Sequence, residues 1–340
     1  MHRDLIVMGA SAGGIEALQR VLRGLPADLQ AAVLVVQHTS SRSNSHLAQI
    51  LERGAYLPVT HPQDWTRIEP GRVYVAPPDH HLLVQGDQLR VLQGPKENRH
   101  RPAIDPLFRS AAVHRGARVI GVVLSGLMDD GTAGLLVVRA HRGAAVIQDP
   151  ETALYGAMPT HALKAVPDAT VLPLELISEE LVRLVGEELP DERLGSGQCA
   201  TGRTDPDSLE AKETRFLENE APQIANDERP GEPSSFACPD CGGVLWELEE
   251  HGFLRFRCRV GHAFTARHLG AEQRNAIETA LWSALRALEE RASLYQRMAQ
   301  GALPDRQGSA TRFQDQANLT EENAQVLREF LVDVLEGAAD

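Results

Sequence analysis

Through the first 190 positions, short apolar runs alternate with stretches of helical periodicity. Leu5–Met8 reads as a first strand, 15–25 as a helix, Ala31–Gln37 as a second strand and 45–53 as a helix. Arg72–Ala76 follows, then Leu82–Val84 and Leu89–Leu92 around Gln85-Gly86-Asp87-Gln88, a hairpin signal. A helix over 105–115, a strand over Val119–Leu124, a helix over 133–142 and a strand over Ala144–Gln148 complete the series. Near-continuous apolar strands separated by amphipathic helices predict an α/β fold. The expected form is a doubly wound, mostly parallel, Rossmann-like sheet with helices on both faces.

The pattern changes after this unit. Residues 191–235 lack periodic apolar positions and hold Gly195-Ser196-Gly197, Asp205-Pro206-Asp207 and Arg229-Pro230-Gly231-Glu232-Pro233. Beyond them, Val244–Leu248 and Phe253–Arg257 alternate as two short strands. Two helical stripes follow. Ile277, Leu281, Ala284, Leu288, Ala292, Tyr295 and Met298 mark one, and Phe313, Ala317, Thr320, Ala324, Leu327, Leu331 and Val334 the other. Gly301-Ala302-Leu303-Pro304-Asp305 between them predicts an antiparallel helical hairpin.

Charge sharpens these boundaries. The formal net charge is −13, yet residues 1–190 carry 18 Lys+Arg against 20 Asp+Glu, whereas 191–235 carry 5 against 11. A stretch so acidic and so poor in apolar residues predicts a flexible linker, with a coil reach of roughly 35–40 Å. The expected organisation is an α/β unit over 1–190, an acidic linker over 191–235, a small module over 236–268 and a helical hairpin over 270–337.

Composition excludes several classes. With 42% hydrophobic residues the chain can build a core, and no run approaches the ~20 apolar residues of a membrane-spanning helix, so no membrane insertion is expected. Met1-His2-Arg3-Asp4 leads directly into the first strand, unlike a signal peptide. Four cysteines cannot staple 340 residues, which predicts a reducing, cytoplasmic setting. The acidic balance disfavours nucleic acid as a partner.

Candidate chemistry sits in the loops that follow the strands, where ligands bind in such sheets. Gly9-Ala10-Ser11-Ala12-Gly13-Gly14 opens a helix. It does not match G-x-G-x-x-G and lacks a P-loop lysine, although a phosphate cradle and a helix-capping serine are both open readings. It does fit G-x-S-x-G, a turn that raises a serine hydroxyl above the sheet. His38 follows the second strand, and Ser125-Gly126-Leu127-Met128-Asp129-Asp130-Gly131 follows Val119–Leu124. A serine, a histidine and an aspartate at one sheet edge form the constellation for acyl transfer. Their order in the chain differs from the Ser, Asp, His order of α/β-hydrolases.

Six blocks in register resemble the catalytic domain of chemotaxis-type protein-glutamate methylesterases, the CheB family, over residues ~4–185. They begin with Val7-Met8-Gly9-Ala10-Ser11-Ala12-Gly13-Gly14, Val35-Val36-Gln37-His38 and Val73-Tyr74-Val75-Ala76-Pro77-Pro78-Asp79-His80-His81-Leu82. The others are His100-Arg101-Pro102-Ala103-Ile104-Asp105-Pro106-Leu107-Phe108, Leu124-Ser125-Gly126-Leu127-Met128-Asp129-Asp130-Gly131, and Gln148-Asp149-Pro150-Glu151 through Gly156-Ala157-Met158-Pro159. The resemblance implies Ser11 as nucleophile, His38 as general base and Asp130, the aspartate before glycine, as orienting acid. It implies the Leu127 N–H as oxyanion donor, although Leu127-Met128 stands where the family usually has Met-Gly. It also implies a cleft lined near Arg101 and Met158. The implied reaction is hydrolysis of γ-glutamyl methyl esters on a methylated chemoreceptor, with deamidation of glutamine by the same route and no catalytic cofactor. Family members usually begin with a receiver domain, which is expected to be absent because the matching region starts at residue 4.

Cys238-Pro239-Asp240-Cys241 and Cys258-Arg259-Val260-Gly261-His262 stand 16 residues apart and form C-x₂-C…C-x₃-H, a donor set suited to structural Zn²⁺. The two strands between them predict a zinc ribbon, with His251 and His268 as alternative fourth ligands and no role for Cys199. The C-terminal helices are expected to bury their stripes against each other, with dimerisation or docking on a receptor coiled coil as the alternative reading. Two further functional readings stand beside the methylesterase: a serine hydrolase of another ester or amide, and a non-catalytic zinc-ribbon scaffold in a signalling complex.

Overall fold

The computed structural model describes residues 1–39, 46–189, 208–218, 231–301 and 307–336. The expectations placed on Cys199, on 195–197, 205–207 and 229–230, and on the 302–305 connection lie outside these residues.

In chain order the first elements are β1 (Leu5–Ala10), α1 (Gly14–Arg23), β2 (Ala32–Gln37), α2 (Leu47–Glu52), β3 (Val59–Thr60), β4 (Thr66–Arg67) and β5 (Val73–Val75). Next come β6 (His81–Gln85), β7 (Gln88–Leu92), α3 (Ile104–Arg115), β8 (Val119–Val123), α4 (Thr132–Ala140) and β9 (Ala144–Gln148). α5 (Ala157–Ala165), β10 (Thr170–Leu172), α6 (Leu174–Gly186) and α7 (Leu209–Glu218) follow. The remainder is β11 (Glu232–Ala237), β12 (Val244–Glu250), β13 (Phe253–Cys258), β14 (Ala263–Thr265), α8 (Ala266–Gln300) and α9 (Gln307–Glu336).

Seven strands form one sheet in the order β10-β9-β8-β1-β2-β5-β3. Every neighbouring pair is parallel. All residues of β1, β2 and β8 are buried, as strands covered on both faces must be. Alternation sorts their side chains. Ile6, Met8 and Ala10 enter the core shared with α1, α2 and α6, whereas Leu5 and Val7 enter the core shared with α3, α4 and α5. The sheet grows one way from β1 through β2 and the other way through β8, so its switch point lies between β1 and β8. β4, β7 and β6 make a small antiparallel sheet, turned at Gly86.

The C-terminal half departs from the expected tether. Leu209–Glu218, inside the stretch read as flexible linker, is a helix, and its Glu213 is fully buried. The ribbon has four antiparallel strands, β11-β12-β13-β14, where the periodicity predicted two. It also belongs to the same compact unit as the α/β sheet, Met1–Leu269. The cause is a buried ionic cluster. Arg109 of α3 pairs with Glu97 at 2.9 Å, Arg257 of β13 with Glu97 at 2.6 Å and with Glu213 at 2.9 Å, and Arg255 with Glu213. Hidden charges are tolerated only when mutually paired, so α7, β13 and α3 are fixed together.

The second unit, Gly270–Asp340, holds the rest of α8 together with α9. Leu285, Ala324 and Leu331 form its core, with Leu281, Leu288 and Leu327 packed around it. Glu289 pairs with Arg328 and Gln296 with Glu321, the antiparallel sense expected. Ile277 and Met298, read as stripe residues, are instead exposed. Among the described residues no helix is long and apolar enough to cross a membrane.

Candidate active site

Three loops at the carboxyl edge of the sheet, on either side of the switch point, bring Ser11, His38 and Asp130 together. β1 ends at Ala10, and the chain turns through Gly13 (φ 69°) into α1. The Ser11 N–H donates to the Ser125 carbonyl at 3.0 Å and the His38 N–H to the Ala10 carbonyl at 3.1 Å. Gln37 Nε2 donates to the Ser11 carbonyl at 2.7 Å, and Gly14 leaves room for that side chain, since a Cβ there would lie 2.3 Å from Gln37 Oε1. The serine turn is thereby tied to the loops after β2 and β8.

His38 Nδ1 lies 3.1 Å from Ser11 Oγ, and its Nε2 lies 2.7 Å from Asp130 Oδ2. An ionised carboxylate only accepts, so Nε2 carries the proton and Nδ1 presents its lone pair to the serine hydroxyl. Burial pushes the Asp130 carboxyl up. The His38 hydrogen bond and charge, with the Ile104 N–H at 2.7 Å, outweigh it and hold Asp130 well below the usual carboxylate range. Asn98 Nδ2 donates to its other oxygen at 2.9 Å. Asp105, close by, behaves oppositely: burial and the Asp130 charge raise it well above its ordinary value. Asp105 Oδ1 accepts the Gly131 and Gly134 N–H groups, which fixes the turn that carries Asp130.

The remaining predicted site residues divide. Met158 is buried, and its N–H donates to the Gly126 carbonyl. A Cβ on Gly126 would lie 2.8 Å from the Met158 sulfur and 2.9 Å from Ser11 Cβ, so Gly126 sits between Met158 and the serine. Leu127 follows, half exposed, before Met128 in a left-handed conformation (φ 64°), whose carbonyl faces His161 Nδ1 at 2.7 Å. Arg101 is drawn elsewhere, to Asp79 at 2.7 Å and to the Gly94 carbonyl. His100 and Asn98 touch the core of the site but carried no sequence signal beyond their place in and beside a matching block.

Cys238, Cys241, Cys258 and His262 bring one ligand atom each within 4.8 Å of one another. Cys241 Sγ–Cys258 Sγ is 3.7 Å, Cys238 Sγ–His262 Nδ1 3.7 Å and Cys258 Sγ–His262 Nδ1 3.6 Å. A tetrahedral ion with bonds of ~2.0–2.3 Å sets ligand edges of roughly 3.5–3.8 Å, so the donor set fits zinc. The alternative fourth ligands are engaged elsewhere, His251 with Glu210 and His268 with Asp129.

Residues 6–181 match the family model described as CheB methylesterase. The chain belongs to the CheB methylesterase family. A Leptospira interrogans protein named putative protein-glutamate methylesterase/protein-glutamine glutaminase is 38% identical over 185 residues, 54% of this chain and 96% of that protein. A Rhodospirillum rubrum protein-glutamate methylesterase/protein-glutamine glutaminase is 37% identical over 184 residues, 53% of this chain and 50% of that one. The crystal structure of the Thermotoga maritima CheB methylesterase catalytic domain superposes with a TM-score of 0.52 at 32% identity, covering 54% of this chain and all of that domain. The match to the family model spans the α/β sheet of this CheB-family chain and stops short of its ribbon and helical hairpin.

Proposed function

We propose that the chain hydrolyses γ-glutamyl methyl esters on a methylated chemoreceptor, and deamidates receptor glutamine by the same route, as a serine hydrolase. Ser11 Oγ attacks the ester carbonyl as His38 Nδ1 takes its proton. The tetrahedral intermediate collapses, and methanol leaves with that proton. Water activated by His38 then attacks the acyl-serine and releases the glutamate carboxylate. Asp130 fixes the ring and faces the positive charge it acquires. The Leu127 N–H, two residues beyond Ser125, is the proposed oxyanion donor. The observation that carries this reading is the unbroken chain from Ser11 Oγ through His38 to Asp130, at 3.1 and 2.7 Å. Methanol release from a methylated receptor fragment tests it: wild type is active and Ser11→Ala is inactive, whereas equal release from both refutes it.

The same proposal includes one structural Zn²⁺ held by Cys238, Cys241, Cys258 and His262. What supports it is the donor set and its spacing. The ion would tie β13 to the turn after β11 in a module whose own core is only six residues. Elemental analysis should find about one zinc per chain, lost in Cys238→Ser; a folded, metal-free wild type refutes it. For the helical hairpin, the outward Leu319, Val326 and Phe330 support docking on a second helical chain. Phe330→Asp should abolish a dimer or receptor complex detected by light scattering, and scattering at monomer mass with no receptor binding in wild type refutes the docking.

A further inference from the structure

The loop after β8 carries adjacent aspartates that face different parts of the chain. Asp130 faces His38, whereas Asp129 Oδ1 accepts Thr265 Oγ1–H at 3.0 Å and lies 2.7 Å from His268 Nδ1. Thr265 ends β14, and His268 stands in the first turn of α8. All three groups are more than nine-tenths buried. The ribbon therefore reaches the residue beside the candidate catalytic aspartate.

A second connection reaches Asp130 itself. β14 lies alongside the segment before α3: the Asn98 N–H donates to the Ala263 carbonyl at 2.7 Å and the Ala263 N–H to the Lys96 carbonyl at 3.2 Å. Asn98 Oδ1 accepts the Thr265 N–H at 2.9 Å. Its Nδ2 donates to Asp130 Oδ1 at 2.9 Å and to Asp105 Oδ2 at 3.1 Å. An amide whose oxygen is claimed by the ribbon has only one way to turn its nitrogen, and that way is toward the two carboxyl groups. The ribbon thus decides the orientation of the donor that holds the outer oxygen of Asp130. The inner oxygen is left to Ile104 and His38.

We infer that the ribbon is a positioning element for the reaction, with Asn98 and Thr265 as positioning residues that set Asp130, and through it His38. This rests on the reading of Ser11, His38 and Asp130 as the catalytic triad. It assigns the C-terminal module a part in turnover that is separate from any docking role.

The test uses full-length protein and methanol release from the methylated receptor fragment, with kcat and KM measured separately and thermal unfolding followed for each variant. A hydrogen bond to a charged group sets the expected scale. Asn98→Ala should lower kcat by roughly 10–100-fold, with KM within about twofold. Thr265→Val, which keeps the shape and the backbone N–H but removes the hydroxyl, should lower kcat by about 3–10-fold. Thr265→Ser, which restores the hydroxyl, should return kcat to within about twofold of wild type. A structural role alone would lower the unfolding temperature and leave kcat per folded chain unchanged; that result in Thr265→Val removes the hydroxyl contact to Asp129 from the inference, and the same result in Asn98→Ala as well, or in Asn98→Leu should the alanine variant not fold, overturns it. Full activity in Ser11→Ala would remove the triad reading, and this inference with it. An inactive Ser11→Ala beside fully active Thr265→Val and Asn98→Ala would overturn the positioning role alone.

Discussion

His100 lies face to face with His38, their ring centroids 3.6 Å apart and their planes within 6° of parallel. Its edge meets the His268 ring at 6.3 Å. Burial, and then the neighbouring His38, press the His100 ring down to about 3, so it is neutral at pH 7 and stacks on the candidate base without adding charge.

That depression makes stability depend on pH. The unfolded chain protonates this ring near its ordinary value of 6.5 and the folded chain does so only near 3. Between these limits the unfolded state binds more protons, so stability falls as pH falls. The His100 contribution approaches about 1 kcal/mol per pH unit between roughly pH 6 and 4. Replacing the ring by a non-titrating one, His100→Phe, should flatten this part of the unfolding temperature against pH. Parallel curves for the two proteins would show that His100 is not its source.

Asp130→Asn should cost more than a charge. Its amide would turn an NH₂ group toward either the Ile104 N–H and His38 or the Asn98 amide, a donor against donors. We expect kcat to fall by about 10³–10⁴-fold through loss of the ring's fixed tautomer. Single-turnover methanol release checks this, and a loss under tenfold would mean the carboxylate is not what holds the ring.

Gly126→Ala should injure activity more than folding. The new methyl would press on the Met158 sulfur and Ser11 Cβ, and the methionine end can yield where the serine turn cannot without moving Oγ. A tenfold or greater fall in kcat/KM is expected, partly recovered in Gly126→Ala with Met158→Ala. An unaffected single variant would show that the serine turn tolerates the contact.

Glu213→Gln removes a buried carboxylate that pairs with Arg255 and Arg257. Stranding buried charge in this way typically costs about 3–5 kcal/mol. Urea unfolding followed by tryptophan fluorescence, with Trp246 in β12 among the three reporters, should shift its midpoint accordingly. A change under about 1 kcal/mol would mean the cluster is hydrated.

Much of the α/β layer was legible because β1, β2 and β8 are apolar without interruption and end in short polar loops. The edge strands β3, β4 and β10 are two or three residues long, and no periodicity survives at that length. α6 also went unmarked, although its Ile177, Leu181, Leu184 and Val185 are buried. Ser11, His38 and Asp130 were legible because each follows a strand, and the metal ligands because cysteines are few. Asn98 and His100 sit in irregular chain, and their roles depend on Asp130 and His38, 32 and 62 positions away. α7 was hidden by its acidity. Glu213 is buried only because Arg255 and Arg257, more than 40 residues later, neutralise it.

The pairing of β14 with Lys96–Asn98 also bears on how this protein can be dissected. A family match that ends at residue 181 invites a cut near residue 190. Here such a cut leaves the Asn98 N–H and the Lys96 carbonyl without their strand, beside a Glu97–Arg109 pair stripped of its cover. An unpaired backbone edge recruits whatever strand it meets. The shortened fragment is therefore expected to expose backbone groups that the intact chain conceals, and self-association measured on such a fragment would report on the cut and not on the intact chain.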